Sequence, residues 1–463
     1  MDIRDLLFTA MMATLMPVSF RRPLIGLLAF SWLAYMRTQD LTWGFARGLR
    51  WSLLIAGVTL AGYLFSSKRA KVVWTPVSYA LLGLVIQVGL SVVLAEGDGG
   101  SAANRYQSMV GRYIEFAKII GVALFTTAVV RRVEHLRILV WIVGLSFAFY
   151  GVKIGLAGVL TGGGLFVKQG PGGMMEDNND FALALCMGLP LLIQIGNAER
   201  NPVLRRGVFF TVPFTVLTVL MTRSRGGFLS LSAMIGLLIW RSRNRVAAMG
   251  LAAAGVLVAL PMLPQSFYDR IATIATYHSD GSAQGRLAAW RTAIRMASDN
   301  PIFGVGLYRF QEEYRTYAAT PDETARATHN AYLQIWAECG TPALLMYLFL
   351  LVGSFWSLWR LRARAKRLYS TSWILSYATM FEATMLTFMV GSTFLSRAHF
   401  DLFYHLVAMV VAFEAIATRE MDSLYERGPS LMRGASFYVD SPRGFQRPPP
   451  RRGFRDGLAP RAT

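Results

Sequence analysis

The chain has 463 residues and a formal net charge of +20, yet 54% of its residues are hydrophobic and only 16% are charged. Soluble domains carry more charge than this, so the composition predicts a protein that crosses a membrane several times. The basic residues fall in short clusters between apolar runs, which argues against nucleic acid as a partner. Cys186 and Cys339 lie inside apolar runs and indicate neither a disulfide framework nor a metal site.

Apolar runs along the chain predict an all-α polytopic membrane protein with about 12 transmembrane helices. Most runs approach the ~20 residues that a helix needs to cross a bilayer. The runs are 6–20, 24–36, 51–66, 73–95, 114–130, 136–160, 179–196, 207–222, 226–240, 246–263, 329–358, 373–395 and 399–418. Arg21-Arg22-Pro23 splits the first two, which form either two thin crossings or one hairpin.

One long polar interruption and a basic C-terminal tail divide the chain into four parts. Residues 1–263 form the N-terminal part of a transmembrane helical bundle, and 264–328 form a helical loop or lid. Residues 329–418 complete the bundle, and the basic tail 419–463 is expected to be cytoplasmic and disordered.

Basic clusters predict the orientation of the bundle, because loops rich in Lys and Arg stay in the cytoplasm. These clusters are Lys68-Arg69-Lys71, Arg131-Arg132, Arg205-Arg206, Arg241/Arg243/Arg245 and Arg360/Arg362/Arg364/Lys366/Arg367. Parity then puts 97–113, 161–180 and 264–328 on the outer face, together with the turn that carries Arg223 and Arg225. Arginines that oppose the charge rule are typical of residues kept for a ligand.

The lid is expected to contain two amphipathic helices, because apolar residues recur there at spacings of three and four. The first pattern is Leu287, Trp290, Ile294 and Ala297, and the second is Leu307, Phe310, Tyr314 and Tyr317. Asp299-Asn300-Pro301 ends the first helix, and Gly304-Val305-Gly306 separates the two.

Arginines on the outer face are candidates for binding a phosphate group, because a guanidinium keeps its charge and donates paired hydrogen bonds. Arg225 and Arg286 are the main candidates, and Arg291 shares a face of the first lid helix with Arg295. Alternatively, these arginines pair with nearby carboxylates. That alternative is weaker for Arg225, which has no acidic neighbour in the sequence.

His329 lies where the lid meets the next apolar run and is a candidate general base, because an imidazole titrates near neutral pH. Asn330 and Tyr332 would orient it or the substrate. Equally, His329 caps a helix or completes the core, and its two neighbours serve in packing.

Two other polar groups have competing interpretations. Oxygens of the Glu176-Asp177-Asn178-Asn179-Asp180 run suit a divalent cation, but capping of the helix that starts there is simpler. Asp401 and His405 have the helical spacing of a proton relay in a transporter, or of an interfacial pair.

Taken together, several motifs resemble those of bacterial O-antigen ligases and polymerases. They are Ser224-Arg225-Gly226 at the start of a run, Gly285-Arg286 followed by Trp290, Pro301 with Gly304-x-Gly306, His329-Asn330-x-Tyr332-Leu333, and Gly340. The stretch from Phe20-Arg21-Arg22-Pro23 through Trp32 and Tyr35-Met36 to Leu41-Thr42-Trp43-Gly44-Phe45-Ala46 is similar to the exosortase-associated O-glycosylation ligases, as is Asp177-Asn178-Asn179. The resemblance covers residues 1–418.

This resemblance implies an inverting, metal-independent glycosyltransferase of the GT-C type, without a cofactor, in the bacterial inner membrane. Its active site would face the periplasm. The donor would be an undecaprenyl-diphosphate-linked glycan, and the acceptor a hydroxyl of a lipid, saccharide or protein.

The resemblance also implies roles for individual residues. His329 corresponds to the catalytic base, and Arg225 and Arg286 correspond to diphosphate-binding arginines. Because Arg223 stands beside Arg225 here, either guanidinium could hold phosphate. A polymerase with the same site is an alternative, and a proton-coupled transporter of lipid-linked sugars that uses Asp401 is another.

Overall fold

The computed structural model describes residues 3–67, 69–94, 102–259, 281–320, 324–367 and 372–426. Predictions for Lys68, for part of the lid (264–280 and 321–323) and for the tail from 427 lie outside these residues. The described helices are α1 Ile3–Arg21, α2 Pro23–Met36, α3 Phe45–Gly48, α4 Trp51–Phe65, α5 Pro76–Leu94, α6 Ala102–Val129, α7 Val133–Leu160, α8 Asn178–Ala198, α9 Pro202–Met221, α10 Arg225–Arg241, α11 Arg245–Ala259, α12 Gly281–Asp299, α13 Tyr314–Tyr317, α14 Ala331–Ala365, α15 Ser372–Ser392 and α16 Asp401–Glu426.

Eight helices within the described ranges are long and apolar enough to cross a membrane, namely α1, α5, α7, α8, α9, α14, α15 and α16. Three shorter apolar helices, α2, α4 and α11, accompany them. These helices confirm the prediction of an all-α multi-pass membrane protein, whereas the count of about 12 crossings stays a prediction.

Helix α8 lies at the centre of the bundle, because it is apolar on every side. It packs against α7, α9, α10 and α15, and the residues from Phe181 to Leu192 are buried. The N-terminal helices α1, α2 and α4 have a small core of their own, built around Met12, Leu33 and Ile55. Through α2 this unit packs against α7.

A β-hairpin, which the sequence patterns did not predict, precedes α8. Strand β1, Gln169–Gly172, pairs antiparallel with β2, Met175–Asp177. Its turn uses Gly172 and Gly173, both with positive φ, and the Arg37 guanidinium lies against Gly173. The hairpin therefore joins the N-terminal unit to the start of α8.

Contacts between loops agree with the alternation predicted from the basic clusters. At one end of the bundle, the Asn178 side chain donates to the Thr222 carbonyl, which joins the start of α8 to the turn before α10. At the other end, Arg419 donates to the Arg131 carbonyl, and Arg137 pairs with Glu199. The assignment of these ends to the two faces of the membrane stays a prediction.

The first predicted lid helix is confirmed as α12, but its buried face differs from the predicted one. Ala289, Ala293 and Met296 are buried, whereas Ile294 is 44% exposed. The second predicted helix is wrong. Leu307, Phe310 and Tyr314 are buried as predicted, but positive φ angles at Gly306 and Tyr308 interrupt the helix, so that only α13 forms.

Helix α14 is broken at Gly340, where φ is 81° and ψ is 177°. Backbone groups freed by the break bind the lid: Val305 N–H donates to the Ala337 carbonyl at 2.9 Å, and Gly306 N–H donates to the Glu338 carbonyl at 3.0 Å. Across the break, Thr341 N–H donates to the Pro301 carbonyl at 2.7 Å. The glycine and proline motifs of this region therefore fasten the lid to α14.

Replacement of Gly340 by alanine is expected to destabilise the fold by about 2–4 kcal/mol, because the left-handed backbone and the crowding both oppose a side chain. An added Cβ would lie 2.2 Å from the Ile302 carbonyl oxygen. Thermal unfolding of the detergent-solubilised protein measures the effect. Gly236→Ala is the matched control, since a Cβ there meets nothing within 4 Å. Equal unfolding midpoints for both variants would contradict the prediction.

The C-terminal boundary of the bundle lies further along the chain than predicted. Helix α16 continues to Glu426, whereas the disordered tail was expected to begin at Arg419. The Arg419 side chain is fixed by hydrogen bonds to the carbonyls of Ala415 and Arg131. These contacts hold the first residue of the predicted tail against the bundle.

Candidate functional site

His329 has an unusual backbone conformation that two separate segments hold in place. Its φ is 45°, in the left-handed region that costs a non-glycine residue about 1–3 kcal/mol and is enriched at functional sites. The Ser396 hydroxyl accepts a hydrogen bond from His329 N–H at 2.7 Å and shares another with the Thr328 hydroxyl at 2.9 Å. From the lid, the Trp290 indole donates to the Thr328 carbonyl at 2.9 Å.

A cavity of about 290 Å³ opens beside His329. It is lined by Gly285, Arg286, Gln311, Arg326, Ala327 and His329. The structure thus brings together Arg286 and His329, two of the residues that the sequence suggested for the site. It adds Arg326 and Gln311, which no sequence pattern had assigned to it.

The charges around His329 favour its neutral form. Burial lowers the pKa of the imidazole, and the Arg286 and Arg326 guanidiniums lower it further, while the Asp177 carboxylate opposes them. A neutral imidazole can accept a proton, whereas an imidazolium cannot. His329 is therefore able to act as a base at neutral pH.

The acidic run before α8 is occupied with structural contacts. The Asp177 carboxylate caps α8 by accepting from Asn179 N–H at 2.8 Å, which confirms the capping interpretation. Asp180 is buried and forms an ion pair with Arg397. Arg397 directly follows Ser396, in the loop that also contains Phe394. The start of α8 is thus tied to the loop that fixes His329.

Arg225 lies at the start of α10, where Ser224 caps the helix by accepting from Gly227 N–H at 3.1 Å. It is not among the described residues that line the cavity. A Cβ on Gly226 would lie 3.3 Å from Phe394, two positions before Ser396. The backbone next to Arg225 therefore approaches the loop that contacts His329. Arg223 has a φ of 53°, and its guanidinium lies over the Phe166 ring, 4.6 Å from the centroid.

The residues suggested as supporting groups have structural roles in this fold. The Asn330 side chain caps α14 by accepting from Tyr332 N–H and Leu333 N–H, each at 3.0 Å. The Tyr332 hydroxyl donates to the Met389 carbonyl at 2.9 Å. Arg291 is exposed on α12, and the described residues that line the cavity do not include it.

Asp401 and His405 do not form the hydrogen-bonded relay that their spacing suggested. Asp401 begins α16, and His405 Nδ1 is hydrogen-bonded to the Tyr35 hydroxyl at 2.7 Å. His405 Nε2 has no hydrogen-bond partner within the described part of the chain. The interpretation as a proton-coupled transporter depended on a relay between Asp401 and His405, and the structure shows no hydrogen bond between these two side chains.

Replacing Asp177 by asparagine is expected to shift the acid limb of the activity profile to lower pH. The carboxylate favours the imidazolium form of His329, so its removal lowers the imidazole pKa and keeps the base neutral in more acidic buffer. Asparagine also caps helices well, so α8 should stay intact. Glu176→Gln, the same charge change at an exposed neighbour, should leave the profile unchanged. Rates measured between pH 5 and 8 check this prediction. An acid limb that stays in place, or that moves to higher pH, in Asp177→Asn would refute the assignment.

The fold and site define a multi-pass membrane protein with a cationic cavity and a histidine at one end of its helical bundle. Residues 210–348 match the model of the O-antigen ligase family, and this segment contains Arg225, Arg286, Arg326 and His329. Residues 3–184 match a family of unknown function, DUF5935. No curated protein matches the chain. The first match supports membership of the O-antigen ligase superfamily, while the exosortase-associated subgroup stays a prediction.

Proposed function

We propose that this protein is a membrane glycosyltransferase that moves a glycan from an undecaprenyl-diphosphate-linked donor to an acceptor hydroxyl at the periplasmic face of the inner membrane. One observation carries the proposal: Arg286 and His329 line the same cavity, within the segment that matches the O-antigen ligase model. A base beside a fixed cation suits a reaction that removes a proton and releases an anion.

In the proposed reaction, the acceptor oxygen attacks the anomeric carbon of the donor sugar and inverts its configuration. His329 takes the hydroxyl proton while the new carbon–oxygen bond forms. The bond from the anomeric carbon to the diphosphate oxygen breaks, and its electron pair stays on the diphosphate. Arg286 stabilises the charge that develops there, because a preorganised guanidinium needs no reorientation during the reaction. No metal or other cofactor is part of this proposal.

The charge distribution supports placing this chemistry outside the cytoplasm. Arg223 and Arg225 lie in a turn that the positive-inside rule assigns to the outer face, where basic residues are unfavourable unless they serve a ligand. A hydrogen bond from Asn178 to the Thr222 carbonyl joins this turn to the start of α8. The ion pair of Asp180 with Arg397 joins the start of α8 to the loop beside His329.

The proposal is tested in cells whose native gene is replaced by the His329→Ala form. We expect the lipid-linked glycan to accumulate and the acceptor-linked glycan to disappear, with the variant protein still present in the membrane. Normal transfer by a variant present at wild-type level would overturn the proposal.

The size of the accumulated glycan separates a ligase from a polymerase that uses the same site. Loss of a ligase leaves long glycans on the lipid, because polymerisation continues without transfer. Loss of a polymerase leaves single repeat units instead. A ladder of long lipid-linked products is expected here, and single units would favour the polymerase.

A further inference from the structure

Arg326 differs in its surroundings from several other arginines at its end of the bundle. Several of those are engaged within the fold: Arg37 pairs with Asp40, Arg309 with Glu313 and Arg397 with Asp180, while Arg295 donates to the Tyr317 carbonyl. Arg326 makes no ion pair or hydrogen bond with the residues that the structure describes, and it lines the cavity. Its guanidinium therefore contributes positive charge to the cavity.

The Arg326 guanidinium lies directly against a glycine. A Cβ built on Gly285 would lie 2.4 Å from Nη1, 2.7 Å from Cζ and 2.9 Å from Nε of Arg326. The guanidinium thus rests on the bare backbone of α12, at a spot where any side chain would displace it. Arg286 follows Gly285 directly, and its guanidinium also acts on His329 from the same cavity.

The chemistry of this arrangement indicates the ligand class. Guanidinium groups bind phosphate oxygens through paired, charge-assisted hydrogen bonds. Two such groups on one cavity match the two adjacent phosphates of a diphosphate better than a neutral sugar. The cavity volume of about 290 Å³ is at the lower end of the range for small-molecule sites, which also suits a diphosphate group.

We propose that Arg326, seated on Gly285, is a second diphosphate-binding residue that acts together with Arg286 on the lipid-linked donor. This inference rests on the proposed function and adds to it a residue that the sequence motifs did not supply. Gly285 has a role in it as well, because its lack of a side chain makes room for the guanidinium.

Binding of farnesyl diphosphate to the purified, lipid-embedded full chain tests the inference, with farnesol as the tail-only control. We expect Arg326→Gln to weaken farnesyl diphosphate binding by roughly 10- to 100-fold, since that is the effect of losing one hydrogen-bonded charge contact. Farnesol binding should not change. Arg315→Gln removes an exposed lid arginine outside the cavity and should bind farnesyl diphosphate as the wild type does.

Gly285→Ala provides an independent arm of the test. The added methyl group should push the guanidinium aside and weaken diphosphate binding measurably. In the Arg326→Gln background the same methyl group should have no further effect, because nothing remains for it to displace. An additive loss in the double variant would show that Gly285 acts through something other than Arg326 and would overturn the seating.

The outcomes distinguish this inference from the proposed function. If the wild type binds farnesyl diphosphate no better than farnesol, the diphosphate donor itself is refuted. If the wild type discriminates between them and Arg326→Gln discriminates equally well, only the role of Arg326 is refuted. A selective loss in Arg326→Gln and in Gly285→Ala supports both.

Discussion

Replacing His329 by alanine is expected to lower the turnover number by about 10² to 10⁴, the usual contribution of a positioned general base. The acceptor hydroxyl would then have to lose its proton to water instead of to a positioned imidazole. The rate of glycan transfer by the purified protein, measured with a polyprenyl-diphosphate-linked donor at saturating concentration, checks the prediction. Donor affinity should change little, because the arginines remain.

His329→Asn is the informative companion variant. Asparagine tolerates the left-handed backbone that Ser396 holds at this position, so the local fold should be kept while the base is removed. Both variants should therefore be equally slow. Near-wild-type turnover by the asparagine variant would mean that His329 serves the backbone conformation and not proton transfer.

Replacing Arg286 by alanine is expected to lower kcat by about 10² to 10³, comparable to the loss of one donor that stabilises a developing anion. The effect should fall on kcat more than on KM, because the charge on the leaving diphosphate grows as its bond to the sugar breaks. Arg286→Lys should recover only part of the rate, since an ammonium cannot donate the paired hydrogen bonds of a guanidinium. Steady-state kinetics with a synthetic lipid-linked donor provide both constants.

Arg315→Ala is the control for this experiment, because Arg315 is exposed in the lid and lies outside the cavity. It should leave both constants near their wild-type values. If Arg286→Ala instead raised KM and left kcat unchanged, the guanidinium would be holding the donor equally in ground and transition states. That result would remove Arg286 from the chemical step and leave it as a binding residue.

The parts of the fold that depend on long, regular patterns could be predicted from the sequence. Apolar runs located the membrane-crossing helices, because the bilayer imposes a minimum length that composition reveals directly. The spacing of Leu287 and Trp290 located helix α12, and Asp299-Asn300-Pro301 marked its end. Arg286 and His329 were singled out by residue type and motif, and the structure brings them to one cavity.

Other features depend on contacts between distant segments and leave no local pattern. Ser396 is one serine in a short loop, and its partner His329 lies 67 positions away. Arg326 has no sequence pattern that distinguishes it from other loop arginines, because its contact with Gly285 joins residues far apart in the chain. The prediction of the second lid helix was wrong for a related reason. Leu307, Phe310 and Tyr314 are buried at helical spacing, but turns around Tyr308 bury them without forming a helix.

The break in α14 also limits how the lid can move. The lid segment at Val305 and Gly306 is bonded to the half of α14 that begins two residues after His329. A lid attached in this way cannot swing clear of the imidazole like a hinged flap without losing those backbone bonds, at about 1 kcal/mol each. An opening motion that keeps these bonds should instead carry the lid and His329 together. Substrate entry and the alignment of the base would then be one event.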